Sequence, residues 1–182
     1  MILVLGLGNP GKKYEKSRHN VGFSVIDETL KQLNLNSTLD AKKSMEKATT
    51  VINGEKVMFV KPLTFMNASG DIFPYFRNEE ISKVIVCVDN MDLDAGKARF
   101  KYQGSSAGHN GLKSIIAHFG NNFYRLYIGV GRPNTEVCDY VLAKITGDDR
   151  VKVDEAVERS SKALLGFLEN GDMEKMQREL SV

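Results

Sequence analysis

The sequence has little cysteine and no long apolar segment, and these gaps exclude several classes of protein. Two cysteines, Cys87 and Cys138, are too few for a disulfide framework, so we expect a reduced, cytoplasmic protein. No apolar run approaches the roughly 20 residues that a membrane-spanning helix needs, and the apolar residues 1–6 are too short for a signal peptide. We therefore expect no membrane partner.

An excess of charge of one sign is also missing. The 25 basic and 23 acidic residues leave a formal net charge of only +2. A chain of this composition binds nucleic acid only through a local basic patch. The 42% hydrophobic and 26% charged content is that of ordinary globular proteins. With 182 residues and no repeat or linker, the sequence predicts one domain over residues 1–182.

Hydrophobic periodicity predicts strands that alternate with helices. Short apolar runs and an alternating segment predict strands at 1–7, 83–88, 97–102 and 126–130. Asn53-Gly54 between strand-like runs at 48–52 and 57–61 predicts a hairpin. Helical spacing predicts helices at 20–34, 67–77, 111–119, from 148 onward and about 172–180. We therefore expect an α/β fold with three layers, in which helices flank a mixed, twisted sheet and 83–88 is a central strand.

Residues 6–11, Gly-Leu-Gly-Asn-Pro-Gly, match the dinucleotide-binding fingerprint directly after a strand. That mechanism needs a helix to begin inside the motif, with its N-terminus facing the pyrophosphate. Residues 12–18 are instead polar and carry no apolar stripe, and the predicted helix starts only near Asn20. We expect no nicotinamide or flavin cofactor. A nucleotide-dependent oxidoreductase remains an alternative that NADH titration tests.

Residues 104–108, Gly-Ser-Ser-Ala-Gly, match the nucleophile-elbow pattern between a strand and a helix. A hydrolase of that type needs an acid and then a histidine after the serine. No carboxylate lies between Ser106 and His118, and His118 falls on an otherwise apolar helix, where a structural or exposed role is expected. We interpret the segment as a flexible loop that leads to His109.

Two histidines and an aspartate remain as a candidate site. His19 and His109 lie in polar loops, flanked by glycine or asparagine. Asp89 ends the central apolar strand, and α/β sheets place their sites at the carboxyl ends of strands. An aspartate there holds a histidine in one tautomer and stabilises its protonated form. Asn9 follows the first strand and is predicted to emerge at the same edge.

A series of motifs extends this candidate site along nearly the whole chain. In order they are Gly6-Leu7-Gly8-Asn9-Pro10-Gly11 with Tyr14, Arg18-His19-Asn20, Lys61-Pro62, Thr64-Phe65-Met66-Asn67, Ser69-Gly70, Asp89, Met91-Asp92-Leu93, Gly108-His109-Asn110-Gly111-Leu112-Lys113 and Ile128-Gly129-Val130-Gly131-Arg132-Pro133. From about residue 2 to the C-terminal helices, the sequence closely resembles bacterial peptidyl-tRNA hydrolase.

The resemblance implies an enzyme that cleaves the ester joining a peptide to the 3′ end of a tRNA, so that the tRNA is reused in translation. It implies a monomer without metal or cofactor, with peptidyl-tRNA as its partner. His19 is then the catalytic base and Asp89 its orienting acid, while Asn9 binds near the scissile carbonyl. The alternative is a non-catalytic RNA-binding relative of the same fold, against which the joint presence of these residues argues.

The resemblance also implies the residues that bind the substrate. Asn67 and Asn110 are expected to hold the peptide main chain and the terminal adenosine region. His109 is expected in a mobile loop that borders the cleft. Tyr14 and Met66 are expected to line the cleft.

Contacts to tRNA phosphate are expected from Arg99 and Lys101. With Lys97 they share one face of a predicted strand, which fits phosphate binding and equally a solvated sheet edge guarded by lysine. The chain departs from the family at Tyr127, where a second basic residue is usual and is expected to help grip the tRNA 5′ phosphate. Arg125 or Lys97 is the candidate replacement, and the sequence does not decide between them.

Overall fold

A computed structural model of the protein describes residues 1–181, in which seven strands form one mixed sheet. The strands are β1 Ile2–Gly6, β2 Thr38–Asp40, β3 Met45–Ile52, β4 Glu55–Pro62, β5 Lys83–Asn90, β6 Ala98–Tyr102 and β7 Tyr124–Gly129. Their order is β2-β3-β4-β1-β5-β7-β6. The central strands β4, β1, β5 and β7 run parallel, whereas β2, β3 and β6 pair antiparallel at the two edges.

Helices cover both faces of the sheet, which confirms the predicted three layers. The helices are α1 Val21–Gln32, α2 Asn110–Phe119, α3 Val137–Leu142, α4 Gly147–Asn170 and α5 Met173–Leu180, with a 3-10 helix at Met66–Phe76. One core lies between the sheet and α1, α4 and α5, and a second lies beneath α2 and the 3-10 helix. Across residues 1–181, no helix has the length and apolar composition of a membrane span.

Side-chain alternation along the central strands builds both cores at once. In β1, Ile2 and Val4 point to the α1 side, whereas Leu3 and Leu5 point to the α2 side. A strand buried on both faces must be apolar at every position. This explains the uninterrupted apolar run at the start of the chain and confirms the reading of β5 as a central strand.

The structure confirms the predicted hairpin at Asn53-Gly54. The helices and strands that the sequence did not predict are short. Asn53 and Gly54 both have positive φ, as a type I′ turn requires. The helix predicted at 67–77 is of the 3-10 type, with Pro74 inside it. Strand β2 has only three residues and α3 buries only Val141, so neither has a periodic apolar pattern that predicts it.

A close approach between α1 and the sheet places the site. A Cβ at Gly22 would clash with the carbonyl oxygen of Cys87, so only glycine lets the start of α1 pack this near β5. The 3-10 turn Arg18–Asn20 directly precedes α1. It is therefore held at the carboxyl ends of β1 and β5, with His19 in its middle.

Candidate active site

A cleft of about 800 Å³ opens at the carboxyl ends of β1 and β5. Its lining includes all eight residues that the sequence placed at the catalytic and substrate-binding site, namely Asn9, Tyr14, His19, Met66, Asn67, Asp89, His109 and Asn110. The loops after four strands, β1, β4, β5 and β6, converge here. Folding thus assembles one polar pocket from segments that are far apart in the chain.

His19 and Asp89 form a close pair at the cleft. The Nδ1–H of His19 donates to the Asp89 carboxylate, with Oδ1 at 2.9 Å and Oδ2 at 2.8 Å. Asp89 is almost fully buried, with 2% of its side chain exposed, whereas His19 is 12% exposed. Since the carboxylate accepts from Nδ1, the lone pair of the neutral ring is on Nε2. Nε2 has no hydrogen-bond partner in the described part of the chain and remains available to the cleft that His19 lines.

His109 is the second partner of the same carboxylate. Its Nε2 lies 2.9 Å from Asp89 Oδ1, and the two imidazole rings are 4.8 Å apart between centroids. Its Nδ1 accepts from the backbone N–H groups of Gly111 and Leu112, at 3.1 and 3.3 Å, and thereby caps α2. These bonds place the ring hydrogen on Nε2. The sequence predicted His109 beside the cleft and missed its direct contact with Asp89.

The pKa of Asp89 reports the balance of these contacts. Burial by itself raises the pKa of a carboxyl group. At Asp89 the interactions with His109, and then those with His19, outweigh burial and hold the pKa well below its ordinary value of 3.8. Asp89 is therefore a carboxylate throughout the neutral range, and it stabilises positive charge on an adjacent imidazole.

His19, Asp89 and His109 are also the side chains, within residues 1–181, whose donor atoms cluster closely enough to hold a metal ion. The hydrogen bonds of His109 argue against that use. The Nδ1 lone pair of His109 already accepts from two backbone N–H groups. A metal ion on Nε2 would either displace the only hydrogen of the ring or break the cap that Nδ1 forms on α2. The arrangement fits a hydrogen-bonded cluster better than a resident metal.

Asn9 is fixed by two neighbours. The backbone N–H of Met66 donates to Asn9 Oδ1 at 2.8 Å. The Nδ2 of the same amide group therefore faces away from Met66. Asn20 bonds the backbone of Asn9 twice: it accepts from Asn9 N–H at 2.8 Å and donates from Nδ2 to Asn9 O at 2.9 Å. Within the described residues Asn9 Nδ2 has no acceptor, so it is a free neutral donor in the cleft.

The residue that presents the Met66 N–H adopts a strained backbone. Phe65 has φ 66° and ψ 158°, a region that is nearly restricted to glycine and that costs about 1–3 kcal/mol. Such strain persists where the surrounding structure enforces it, which is typical of functional sites. The exposed Phe65 side chain also lines the cleft.

Sequence reasoning missed part of the cleft. The contact of Asn20 with the Asn9 backbone was not predicted. The one indication in the sequence was the position of Asn20 beside His19 in the motif Arg18-His19-Asn20. The wall formed by Val137, Cys138 and Val141 of α3 left no signal, because α3 is a short helix without a clear apolar stripe. His118, for which the sequence predicts a structural or exposed role, contacts the Ser114 carbonyl and Asp71 outside the cleft.

The predicted phosphate-binding residues lie outside the cleft, on the edge strand β6. Arg99 and Lys101 are exposed, and the intervening Phe100 is buried on the opposite face. Tyr127 pairs with Arg99 across β6 and β7 and is only 8% exposed. Burial raises the pKa of Tyr127 although neighbouring arginines lower it, so its hydroxyl is neutral.

Arg125 does not replace the usual basic residue at the surface. It is fully buried, and its Nη2 donates to the Gly104 carbonyl and to Asn121 Oδ1, both at 2.6 Å. Its guanidinium also stacks over the Phe123 ring at 4.1 Å. Arg125 therefore anchors the start of the loop that leads to His109.

Fold and site together define an α/β protein with a histidine–aspartate pair in a cleft at the carboxyl edge of a mixed sheet. The family model for peptidyl-tRNA hydrolase matches residues 3–181. The chain belongs to the peptidyl-tRNA hydrolase family, an enzyme family that acts on peptidyl-tRNA.

Solved structures agree with this assignment. The peptidyl-tRNA hydrolase of Acinetobacter baumannii is 30% identical, with 99% of this chain and 94% of that chain covered and a TM-score of 0.91. A point mutant of that enzyme gives the same identity and coverage with a TM-score of 0.92. The 5′-methylthioadenosine nucleosidase of Arabidopsis thaliana, at 7% identity, 96% and 97% coverage and a TM-score of 0.57, shares the fold alone.

Proposed function

We propose that the chain hydrolyses the ester between a peptide, or an N-blocked amino acid, and the 3′ end of tRNA, with His19 as general base. It acts as a single catalytic domain and a monomer, and it returns free tRNA to translation. One observation carries the mechanism. His19 forms a hydrogen-bonded pair with the buried carboxylate of Asp89, and the Nε2 of His19 is left available to the cleft.

The chemical step uses this pair. His19 Nε2 takes a proton from a water molecule while the water oxygen attacks the ester carbonyl. Asp89 stabilises the imidazolium that forms, and the proton is then passed to the departing ribose oxygen. General-base assistance of this kind is worth roughly 10²–10⁴-fold in rate. The leaving group is a sugar hydroxyl, which departs more readily than an amine.

The negative charge that develops on the carbonyl oxygen needs a fixed donor. Asn9 Nδ2 meets this need, because Asn9 Oδ1 is already held by the Met66 N–H and the Nδ2 hydrogens point away from that contact. Loss of one oxyanion donor typically lowers kcat by about 10²–10³-fold.

Substrate contacts are assigned to the polar and apolar lining. Asn67 and Asn110 are exposed side chains at the cleft that donate to and accept from a peptide backbone without selecting its side chains. Tyr14 and Met66 line the cleft, and His109 borders it from the loop before α2. The surface outside the cleft supplies Arg99 and Lys101 for tRNA phosphate.

The test is release of an N-acetylated amino acid from N-acetyl-aminoacyl-tRNA by wild type and by His19→Ala. We expect turnover to fall by about 10²–10⁴-fold in the variant, while uncharged tRNA still competes for binding. His118→Ala is the matched control, because His118 pairs with Asp71 outside the cleft, and it is expected to keep full activity. Near wild-type turnover by His19→Ala refutes the mechanism. Absence of cleavage by folded wild type instead leaves a tRNA-binding relative without the reaction.

A further inference from the structure

Asn20 occupies a helix N-cap position without capping the helix. It stands directly before α1, where an asparagine side chain usually accepts a hydrogen bond from the first turn and adds about 1 kcal/mol. In this chain Asn20 makes no such bond with its side chain. The amide is directed instead toward Asn9, and it is buried with 6% exposure.

The two amide bonds from Asn20 hold Asn9 at both its N–H and its carbonyl. Asn9 N–H donates to Asn20 Oδ1 at 2.8 Å, and Asn20 Nδ2 donates to Asn9 O at 2.9 Å. A pair of bonds to one residue fixes its position and its orientation, whereas a single bond leaves it free to rotate. Pro10 follows and fixes the next φ angle, so the backbone on which the Asn9 side chain stands has little freedom.

Close packing keeps the Asn20 amide in place. A Cβ at Gly8 would lie 3.0 Å from Asn20 Oδ1 and 2.8 Å from the Phe23 ring. Glycine at this position therefore lets the first loop of the chain lie directly against the amide.

We propose that Asn20 is a positioning residue that acts through Asn9 and aims its Nδ2 at the oxyanion. The inference rests on the proposed function, in which Asn9 supplies that donor. His19 and Asn20 are neighbours on one short turn, so a single rigid element sets both the general base and the support of the oxyanion donor.

A double-mutant cycle tests whether Asn20 acts through Asn9. Asn20→Ala is expected to lower kcat by about 10–100-fold with little change in KM, because a misplaced donor weakens transition-state binding and leaves tRNA binding intact. In the Asn9→Ala background, Asn20→Ala is expected to have almost no further effect on kcat, since the side chain that it positions is gone. Additive losses in the double variant, or an unchanged kcat in Asn20→Ala, overturn the inference.

A second pair of variants separates positioning from stability. Asn20→Asp keeps the size and the acceptor of Asn20 and places an oxygen against the Asn9 carbonyl, so it is expected to reproduce most of the loss. Thr29→Val is the matched control. It removes a buried hydrogen bond within α1, to Val25 O at 2.7 Å, without touching Asn9. A loss of kcat in Thr29→Val as large as in Asn20→Ala would show that the effect is only destabilisation.

A measurement without substrate keeps this inference distinct from the proposed function. In ¹⁵N spectra of wild type and Asn20→Ala, which removes the acceptor of the Asn9 N–H, we expect faster hydrogen exchange at the Asn9 backbone N–H and a more mobile Asn9 side-chain amide in the variant. Unchanged exchange and mobility contradict the positioning role even if the enzyme is active. Full activity in His19→Ala contradicts the proposed mechanism while the spectra still decide whether Asn20 holds Asn9.

Discussion

Two places in this molecule set one charged side chain between two hydrogen-bonding partners. At the cleft, the Asp89 carboxylate lies 2.8–2.9 Å from ring nitrogens of His19 and His109. On β4, which is two strands away from β5 in the sheet, Lys61 Nζ lies 2.6 Å from Asp27 Oδ1 and 3.0 Å from Glu46 Oε2. Both arrangements place one charge between two partners, but the partners of Lys61 are carboxylates and those of Asp89 are imidazoles.

The difference lies in what the partners do with a proton. Burial lowers the pKa of Lys61, but its hydrogen bonds to Asp27 and Glu46 outweigh burial and raise it. Lys61 is thus charged at neutral pH and exchanges no proton there. Imidazoles gain and lose protons near neutral pH. The Asp89 cluster also opens into the cleft, and the Lys61 cluster is not part of its lining.

The largest expected effect is on turnover, and it separates the two clusters. Asp89→Asn is expected to lower kcat by about 10²–10⁴-fold, because the imidazolium at His19 loses its counter-charge and the ring loses its fixed tautomer. Lys61→Met and Asp71→Asn are the controls. Lys61→Met removes the cation of the Lys61 cluster, and Asp71→Asn removes the acidic partner of His118. Both variants are expected to keep kcat within about twofold. A comparable loss of kcat in Lys61→Met contradicts the assignment of a structural role.

The next effect is on stability, where the Lys61 cluster rather than the Asp89 cluster is expected to matter. Lys61→Met leaves Asp27 and Glu46 without their shared cation, and it is expected to lower the free energy of unfolding by roughly 1–2 kcal/mol, between the values for exposed and buried ion pairs. Urea unfolding followed by circular dichroism measures this change. Lys175→Met is the matched control, since the ammonium of that lysine makes only a 4.0 Å contact with Glu179 on α5. Equal stability of the two variants contradicts a structural contribution from the Lys61 cluster.

The sequence predicted most of the fold because its signals were local. The apolar run of β5, the hairpin turn at Asn53-Gly54 and the stripe of α4 each follow from periodicity or turn chemistry within a few residues. The short elements β2 and α3 were missed, because a few residues with little buried surface carry no period. The Phe65 backbone was also beyond sequence reasoning, since tertiary contacts impose its strained φ.

For the candidate site, as for the fold, the sequence predicted the main parts and missed the details. Motifs placed His19, Asp89 and Asn9 at one sheet edge, and the structure brings them together. Contacts that depend on the direction of a side chain were not predictable, such as the bond from His109 to Asp89 and the two hydrogen bonds of Asn20 to the Asn9 backbone. These depend on how two loops meet in space, and no spacing along the chain encodes that.

Acid should affect the Asp89 cluster through the lowered pKa of its carboxyl group. Because the folded-state pKa of Asp89 lies below its ordinary value of 3.8, this ionisation stabilises the fold fully above that value. The contribution is lost as pH falls below it toward the folded pKa. One proton contributes at most about 1.4 kcal/mol per pH unit to the slope. We expect unfolding free energies measured between about pH 4 and 2 to fall less steeply for Asp89→Asn than for wild type, and parallel curves contradict this.

The smallest effect concerns charges that belong to neither cluster. Arg99 and Lys101 are exposed on β6, so they contribute to tRNA binding only through screened interactions with phosphate. Replacing both with alanine is expected to raise KM by about three- to tenfold at low salt with kcat unchanged. The dependence of log KM on log salt should also become shallower by about 0.7–0.9 for each phosphate that the variant no longer neutralises.

A charge-matched control separates phosphate binding from net charge. Lys31 on α1 and Lys42, which follows β2 at the other edge of the sheet, are also exposed, and replacing both with alanine removes the same two positive charges. If the two double variants raise KM equally, the effect is one of net charge. If neither changes the salt slope, Arg99 and Lys101 belong to a solvated sheet edge, and tRNA phosphates are held elsewhere on the protein.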